Sequence, residues 1–518
     1  MDKIRYALIL LFALPLLVHA QEPSGELSQL RYAMQTNVVA SVGKNAPFWL
    51  THNRHGLSSL ERNNGNLNIG LYRDFDPQQQ FAWAYGVQGA FFVSQKSQFE
   101  TQSPQFIVQQ LYVDLRYGCW ELSIGSKERW SEGKHRTLSG GGLTFSPNAR
   151  PIPQVRFGIN EYATVPWWFD GWVHVKGHFS YGAFTDNAYI RAFTSRASAE
   201  TLYIQDVLFH EKSAFLKIGN PTRSPFAFEM GLEMYCQFGG TLYANDTPQD
   251  SLVFTLPRSY KEYIKAFIPL AGGADTPMAE QTNVNGNQLG SWHFIAGYST
   301  PQLGVRAYCE HFFEDHSQMI GFAFNRDWQG TIQKVSYFPW RDGLLGIEIT
   351  LPKCRAVRTL LYEYTAMKDQ SGPILHNSTS SLTEQVSGYD CYYHHYIYQG
   401  WQHWGMGLGT PLATASAYNE NGNPIISSSR IKAHHMGVEG LMSSRLAYRM
   451  LGTYVRHWGT YRDPLKEMGY QVSTLFELQY AIPSCRTTCT LSFAKDWSNT
   501  IIGNNTGASV TLLYTPSL

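Results

Sequence analysis

The sequence predicts an all-β chain: a transmembrane antiparallel β-barrel of about eighteen strands, with long extracellular loops and short periplasmic turns. Three observations predict it. Apolar and polar residues alternate with period two through most of the chain, which gives each strand one apolar and one polar face. The links between alternating segments are short and long by turns, as in outer-membrane barrels. Aromatics make up 14% of the chain and charged residues only 16%, with 45 glycines, while long amphipathic helices are almost absent.

The chain opens MDKIRYALILLFALPLLVHAQEP. Lys3 and Arg5 precede an apolar run from Tyr6 to Val18, and Val18-His19-Ala20 forms a small-residue cleavage pattern. Residues 1–20 therefore read as a secretory signal peptide, and 21–518 as one barrel domain. Taking Asp2, Lys3 and Arg5 from 41 basic and 40 acidic residues leaves 39 of each. A neutral chain has no basic field for nucleic acid. No other apolar run approaches the ~20 residues of a membrane helix.

Eighteen alternating segments follow in order: 30–40, 66–75, 81–94, 107–117, 120–127, 153–161, 172–184, 202–218, 226–238, 290–299, 303–314, 344–351, 357–366, 436–443, 446–457, 470–480, 489–496 and 508–515. In 81–94, Phe81, Trp83, Tyr85, Val87, Phe91 and Val93 share one face; Ala82, Ala84, Gly86, Gln88 and Ala90 share the other. In 303–314, Val305, Ala307, Cys309 and Phe313 oppose Arg306, Glu310 and Glu314. In 470–480, Val472, Phe476 and Leu478 oppose Gln471, Ser473 and Glu477. Many segments have the length of a tilted membrane strand. The eighth is too long for one strand and is expected to split or bulge.

Links after even segments are mostly short, such as DPQQ, GC, STPQ and PKCRA. Links after odd segments are long: 41–65, 128–152, 239–289, 315–343 and 367–435. An even strand count places both termini in the periplasm. The apolar face then meets outer-membrane lipid, and closure leaves no strand edge unpaired. The inward parity carries both signs, among them Asp114, Lys127, Arg156, Lys176, Glu229, Glu233, Arg306, Glu310, Glu348, Arg449 and Glu477. It reads as a polar conduit or, more simply, as paired charges that stiffen the lumen.

No G-x-S-x-G, Walker A, HExxH or EF-hand pattern occurs. His394-His395 and His434-His435 are adjacent pairs, and strand neighbours point to opposite faces; no metal and no cofactor is expected. The seven cysteines are scattered and read as isolated apolar thiols. The stretch YDCYYHHYIYQGWQHWG (389–405) falls in the longest expected loop. Tyr392, Tyr396, Tyr398, Trp401, His403 and Trp404 suit stacking against sugar rings, and self-packing of the loop on the barrel mouth competes equally. Asn148 and Arg150, in SPNARPIP, are candidates to hold a loop or meet an acidic sugar. Trp340, Arg341 and Asp342, in SYFPWRDG, form a second aromatic-plus-charge group.

LSGGGLTFSPNARPIPQVRFGI (138–159), QLYVDLRYGCWELSIGSKE (110–128), NAPFWLTHNRHGL (45–57), GWVHVKGHFSYGAFTDN (171–187) and GWQHWGMGLGTPL (400–412) together resemble the capsule assembly Wzi family, in its Bacteroidetes-type form. The resemblance spans nearly the whole mature chain. It implies an eighteen-stranded outer-membrane barrel, inserted by barrel assembly machinery, that holds capsular or another surface polysaccharide as a lectin and not as an enzyme. Such members also carry a helical element on the periplasmic side, and no segment here reads as one. The rival functions are a diffusion channel and, with no motif in its support, a lipid-modifying or hydrolytic enzyme.

Overall fold

Eighteen antiparallel strands form one sheet that closes on itself in a computed structural model of the chain. The structure describes residues 30–94, 106–166, 169–245, 250–273, 276–277, 284–314, 324–326, 332–334, 342–370 and 391–516. The expected signal peptide, 1–20, lies outside them. The first nine strands are β1 (Leu30–Gly43), β2 (Asn63–Arg73), β3 (Phe81–Ser94), β4 (Phe106–Tyr117), β5 (Trp120–Ser126), β6 (Gln154–Thr164), β7 (Val173–Ala183), β8 (Leu208–Ile218) and β9 (Phe226–Phe238). The others are β10 (Asn287–Ser299), β11 (Gly304–Glu314), β12 (Gly343–Thr350), β13 (Thr359–Ala366), β14 (Ile431–Leu441), β15 (Leu446–Gly459), β16 (Pro464–Ile482), β17 (Thr487–Ser498) and β18 (Asn505–Tyr514).

Each strand pairs with its neighbours in sequence, and β1 pairs with both β2 and β18. The seam runs from Met34 opposite Tyr514 to Gly43 opposite Asn505. Closure satisfies every edge, which an apolar surround requires. The outward parity is apolar and exposed, as at Trp83, Val87, Phe91, Val113, Phe228 and Phe493. Phe81, Tyr117, Trp120, Phe226 and Tyr480 ring the short-turn end, the girdle that marks a membrane boundary. Among the described residues no helix is long and apolar enough to cross a membrane; the strands make the crossing.

All eighteen expected strands are present. The eighth is divided, as its length required. Residues 202–205 leave the barrel and join 241–244 and 251–255 in a small outer sheet. Asp206 makes the break. Its φ is 55°, its amide donates to Asn187 Oδ1 at 2.8 Å, and its carboxylate accepts from Asn187 Nδ2 at 2.6 Å. β14 starts at Ile431, five residues before the expected 436, because Ile431 and Ala433 pack inward against the loops. β16 runs 19 residues, well beyond 470–480, where the alternation is weak at both ends.

The long connections all lie at one end. They carry α1 (Phe48–Thr51), α2 (Asn187–Thr194) and α3 (Tyr260–Phe267). The short turns, such as 118–119 and 300–303, lie at the other end with no α-helix among the described residues. The seven cysteines are free thiols.

Candidate functional site

Three long connections do not stand away from the barrel but fold into it. α1 enters first. Its four residues are all buried, the Phe48 amide donates to Asp496 of β17 at 2.9 Å, and Trp49 Nε1 donates to Thr453 of β15 at 3.0 Å. His52 stacks on Phe48 with centroids 3.9 Å apart, and burial pushes its imidazole down to about 4, so it is neutral.

The segment LSGGGLTF crosses the lumen next. Its main chain is held by carboxylates of the wall. Gly140 N donates to Glu363 Oε2 at 2.8 Å, with Ser139 Oγ on Oε1 at 2.7 Å. Leu143 N donates to Glu310 Oε1 at 2.6 Å, and the Thr144 hydroxyl donates to Glu233. Gly141 has φ +106°, and a Cβ there would lie 2.9 Å from Ser146 Cβ, so the turn requires glycine. Ion pairs tie the same connection to the wall: Lys127–Asp114 at 2.5 Å, Glu132–Lys176 at 2.5 Å and Lys134–Glu310 at 2.9 Å. Burial pushes the Glu132 carboxyl up, but Lys176 beside it outweighs that and holds it below its ordinary value. Wall charges also pair among themselves, as Arg306–Glu348 at 3.3 Å and Arg156–Glu211 at 3.0 Å. The inward charges are thus a stiffening network.

The aromatic stretch 391–405 is the third piece, and it supplies the core of the plug. Trp401 is 0% exposed; its ring packs 5.7 Å from Tyr235 and 6.2 Å from Phe209. Its Nε1 donates to Thr144 O at 2.7 Å. The Tyr393 hydroxyl donates to Leu143 O, and Tyr398 Oη donates to Gly239 O at 3.1 Å. His403 is fully buried; its Nε2 accepts from Thr185 N at 3.2 Å, so Nδ1 carries the proton and donates to Arg150 O at 2.9 Å. Tyr392 lies edge-on to Phe312 at 4.6 Å. A buried tryptophan removes on the order of 200 Å² from water, worth on the order of 5 kcal/mol. Beneath the plug a cavity of about 730 Å³ reaches the short turns and is lined by Arg116, Lys127, Arg156, Lys176 and Glu211.

The expected site residues therefore separate. Tyr392, Tyr398, Trp401 and His403 offer no face to the exterior, because burial in the plug covers them. Asn148 is buried too, donating to Gly407 O at 3.1 Å and accepting from Asn53 N at 3.2 Å; it holds the loop. Asp342 is buried, and its Oδ1 accepts from Asp369 N at 3.2 Å. Trp340 and Arg341 lie outside the described residues. Tyr396 and Trp404 reach the surface: Tyr396 is 36% exposed beside His395, and Trp404 is half-buried.

Trp404 lies over the Arg150 guanidinium, 4.4 Å from ring centroid to carbon, a cation–π contact. Its amide donates to Asp186 Oδ2 at 3.1 Å and its Nε1 to Thr185 Oγ1 at 3.3 Å. Trp404 takes a φ of 53°, unusual for a bulky residue, and Tyr189 of α2 supports it at 5.8 Å. Burial lowers the Arg150 guanidinium to about 10, so it stays charged at neutral pH. An aromatic face beside exposed Thr185 and half-buried Asp186 joins ring stacking to hydroxyl-binding groups. Thr185, Asp186 and Tyr189 escaped the sequence reading; the one signal was the TDN that ends GWVHVKGHFSYGAFTDN.

Among the described residues one cluster has metal-ligand spacing: Glu233, His293 and Glu310, all buried. Lys134 already places its ammonium 2.9 Å from Glu310, and the Thr144 hydroxyl donates to Glu233. Plug groups thus engage both carboxylates, while His293 Nε2 lies 3.1 Å from Glu233 Oε1 within the wall.

Fold and site together define an outer-membrane β-barrel whose lumen is occupied by its own loops. The family model of the capsule assembly protein Wzi matches residues 61–331, just over half of the chain. The chain belongs to the capsule assembly Wzi family. Among solved structures it is similar to Wzi of Escherichia coli, described as an outer membrane protein involved in group 1 capsule assembly and a carbohydrate-binding β-barrel. That likeness has a TM-score of 0.53 at 13% identity, over 94% of this chain and 85% of that one. It is more distantly similar to Pseudomonas aeruginosa OccK5 (OpdH), with a TM-score of 0.43 at 9% identity over 95% and 99% of the two chains. No curated protein matches the sequence. The plug contains three of the segments that carry the family resemblance, 45–57, the first part of 138–159, and 400–412.

Proposed function

We propose that this barrel holds surface polysaccharide at its long-loop end, facing outward from the cell, without converting it chemically. The observation that carries the reading is Trp404, half-exposed and backed by Arg150 at 4.4 Å. The exposed part of its ring meets a sugar ring, Asp186 and Thr185 accept or donate to hydroxyls, and the charge of buried Arg150 beneath it favours an acidic sugar. Tyr396 gives a second contact. Tyr392, Tyr398, Trp401 and His403 act from beneath by fixing the loop that presents Trp404. Family membership supports capsular polysaccharide as the ligand, and the carbohydrate binding stated for the E. coli protein agrees with it. The filled lumen supports this reading over a diffusion channel. The test is glycan-array binding by purified folded protein: wild type binds acidic polysaccharide, and Trp404→Ala loses that binding with its heat-modifiable barrel mobility intact. Equal binding by the variant excludes Trp404 as the contact.

A further inference from the structure

On one side of the barrel a helix covers part of the outer wall. α3, in the connection after β9, folds back over the outside of β7–β9. Tyr181 Oη of β7 donates to Tyr263 O at 2.8 Å, and Gln288 Nε2 of β10 donates to Lys265 O at 3.2 Å. Ala266 of α3 packs with Cys236 and Phe238 of β9, all 0% exposed. Lys212 of β8 donates to Ala266 O at 3.2 Å and to Phe267 O. The opposite side of α3 exposes Tyr260 and Ile264, followed by Ile268 and Leu270. An apolar face directed away from the protein is costly in water and suits acyl chains.

Below α3 the wall forms a groove of about 350 Å³. One flank is a run of rings: Trp120 to Phe157 at 5.3 Å, Phe157 to Phe179 at 6.1 Å, Phe179 to Phe267 at 6.0 Å. Gly177 and Ala214, paired across β7 and β8, make a low floor, and Met234 lies in the lining with them. The groove is continuous with the lipid-facing belt, and Lys212 lines it. An ammonium has three donors, two of which go to α3 carbonyls, and its charge complements a phosphate.

We propose that this groove holds one acyl chain of a phosphate-bearing membrane lipid from the leaflet on the long-loop side, with α3 above the chain and Lys212 facing the phosphate. A side chain at Ala214 projects from the floor into that space, whereas a Cβ at Gly177 would lie 2.6 Å from Ser213 O and disturb the strand. Ala214→Phe is therefore the informative variant. Ala296→Phe, on exposed β10 outside the groove, controls for bulk on the belt.

The experiment reconstitutes the full chain in nanodiscs of phosphatidylethanolamine and phosphatidylglycerol, strips surrounding lipid with detergent, and weighs the protein by native mass spectrometry. Wild type and Ala296→Phe retain one phospholipid per chain, and Ala214→Phe loses it while keeping its heat-modifiable barrel mobility. Loss of all lipid from wild type, retention by Ala214→Phe equal to wild type, or a fatty acid or second protein chain in the lipid's place overturns the proposal. If Ala214→Phe does not fold, retention by Met234→Phe, which narrows the groove from its lining, decides in the same way.

Discussion

Trp401 Nε1 donates to the carbonyl of Thr144 across 2.7 Å, joining positions 257 residues apart. The bond links the loop after β13 to the loop after β5 inside the barrel. Each of those loops also grips the wall, so one side chain couples both anchors. Trp401→Ala removes that bond and leaves a cavity, at a cost of about 3–5 kcal/mol to the plug. The strands do not depend on it. The expected outcome is an intact barrel with protease cleavage within 391–430 and new conductance in planar bilayers; wild type shows neither.

Trp404 gives the opposite pattern. Its ring is half-exposed and its removal changes plug stability by about 1 kcal/mol. Cells carrying Trp404→Ala shed polysaccharide into the medium while the protein remains closed to ions. Trp401→Ala and Trp404→Ala thus separate on two readouts, conductance and polysaccharide retention. A Trp404→Ala strain with normal retention counts against the stacking surface.

Lys134 and Glu310 test the wall anchor. Their side chains are 4% and 0% exposed. Glu310→Gln leaves a buried ammonium with its partner charge removed, which costs about 3–5 kcal/mol. Adding Lys134→Met removes the stranded charge and recovers much of that loss. Protease sensitivity of the 127–150 connection ranks the three proteins: wild type and the double variant resistant, Glu310→Gln sensitive.

Acid should loosen the plug. Burial lowers His52 to about 4 and, with His394 and Arg462 adding repulsion, His395 to about 3. Histidine released from the plug titrates near 6.5. The released state therefore binds protons first, and these groups' contribution is fully present above pH 6.5 and declines as pH falls toward 4. The slope is about 1.4 kcal/mol per pH unit for each histidine within that window. Conductance of reconstituted protein rises between pH 6.5 and 4, and His395→Gln flattens the rise. An identical profile for His395→Gln assigns the effect to other groups.

The strands were legible because lipid on one side and polar lumen on the other impose a local period of two, visible within ten residues. The plug was not legible. Its decisive contacts join Leu143 to Tyr393 and Leu138 to His435, 250 and 297 residues apart, and no local pattern reports them. A tyrosine or tryptophan looks alike in sequence whether it covers a loop interior or meets a sugar, so 389–405 supported both readings. The break at Asp206 was half-visible. Length announced it, but the left-handed turn rests on Asn187, 19 residues earlier. Arg150 was legible as a candidate to hold a loop or meet an acidic sugar, but its stacking beneath Trp404 was not.

Wall carboxylates hold Gly140 and Leu143 through their backbone amides. Such an anchor recognises main chain and is indifferent to most side chains. Exchange of the outward residues around Trp404 therefore leaves the main-chain anchors of the plug in place. The left-handed turn at Gly141 and the buried glutamates set the path of the plug.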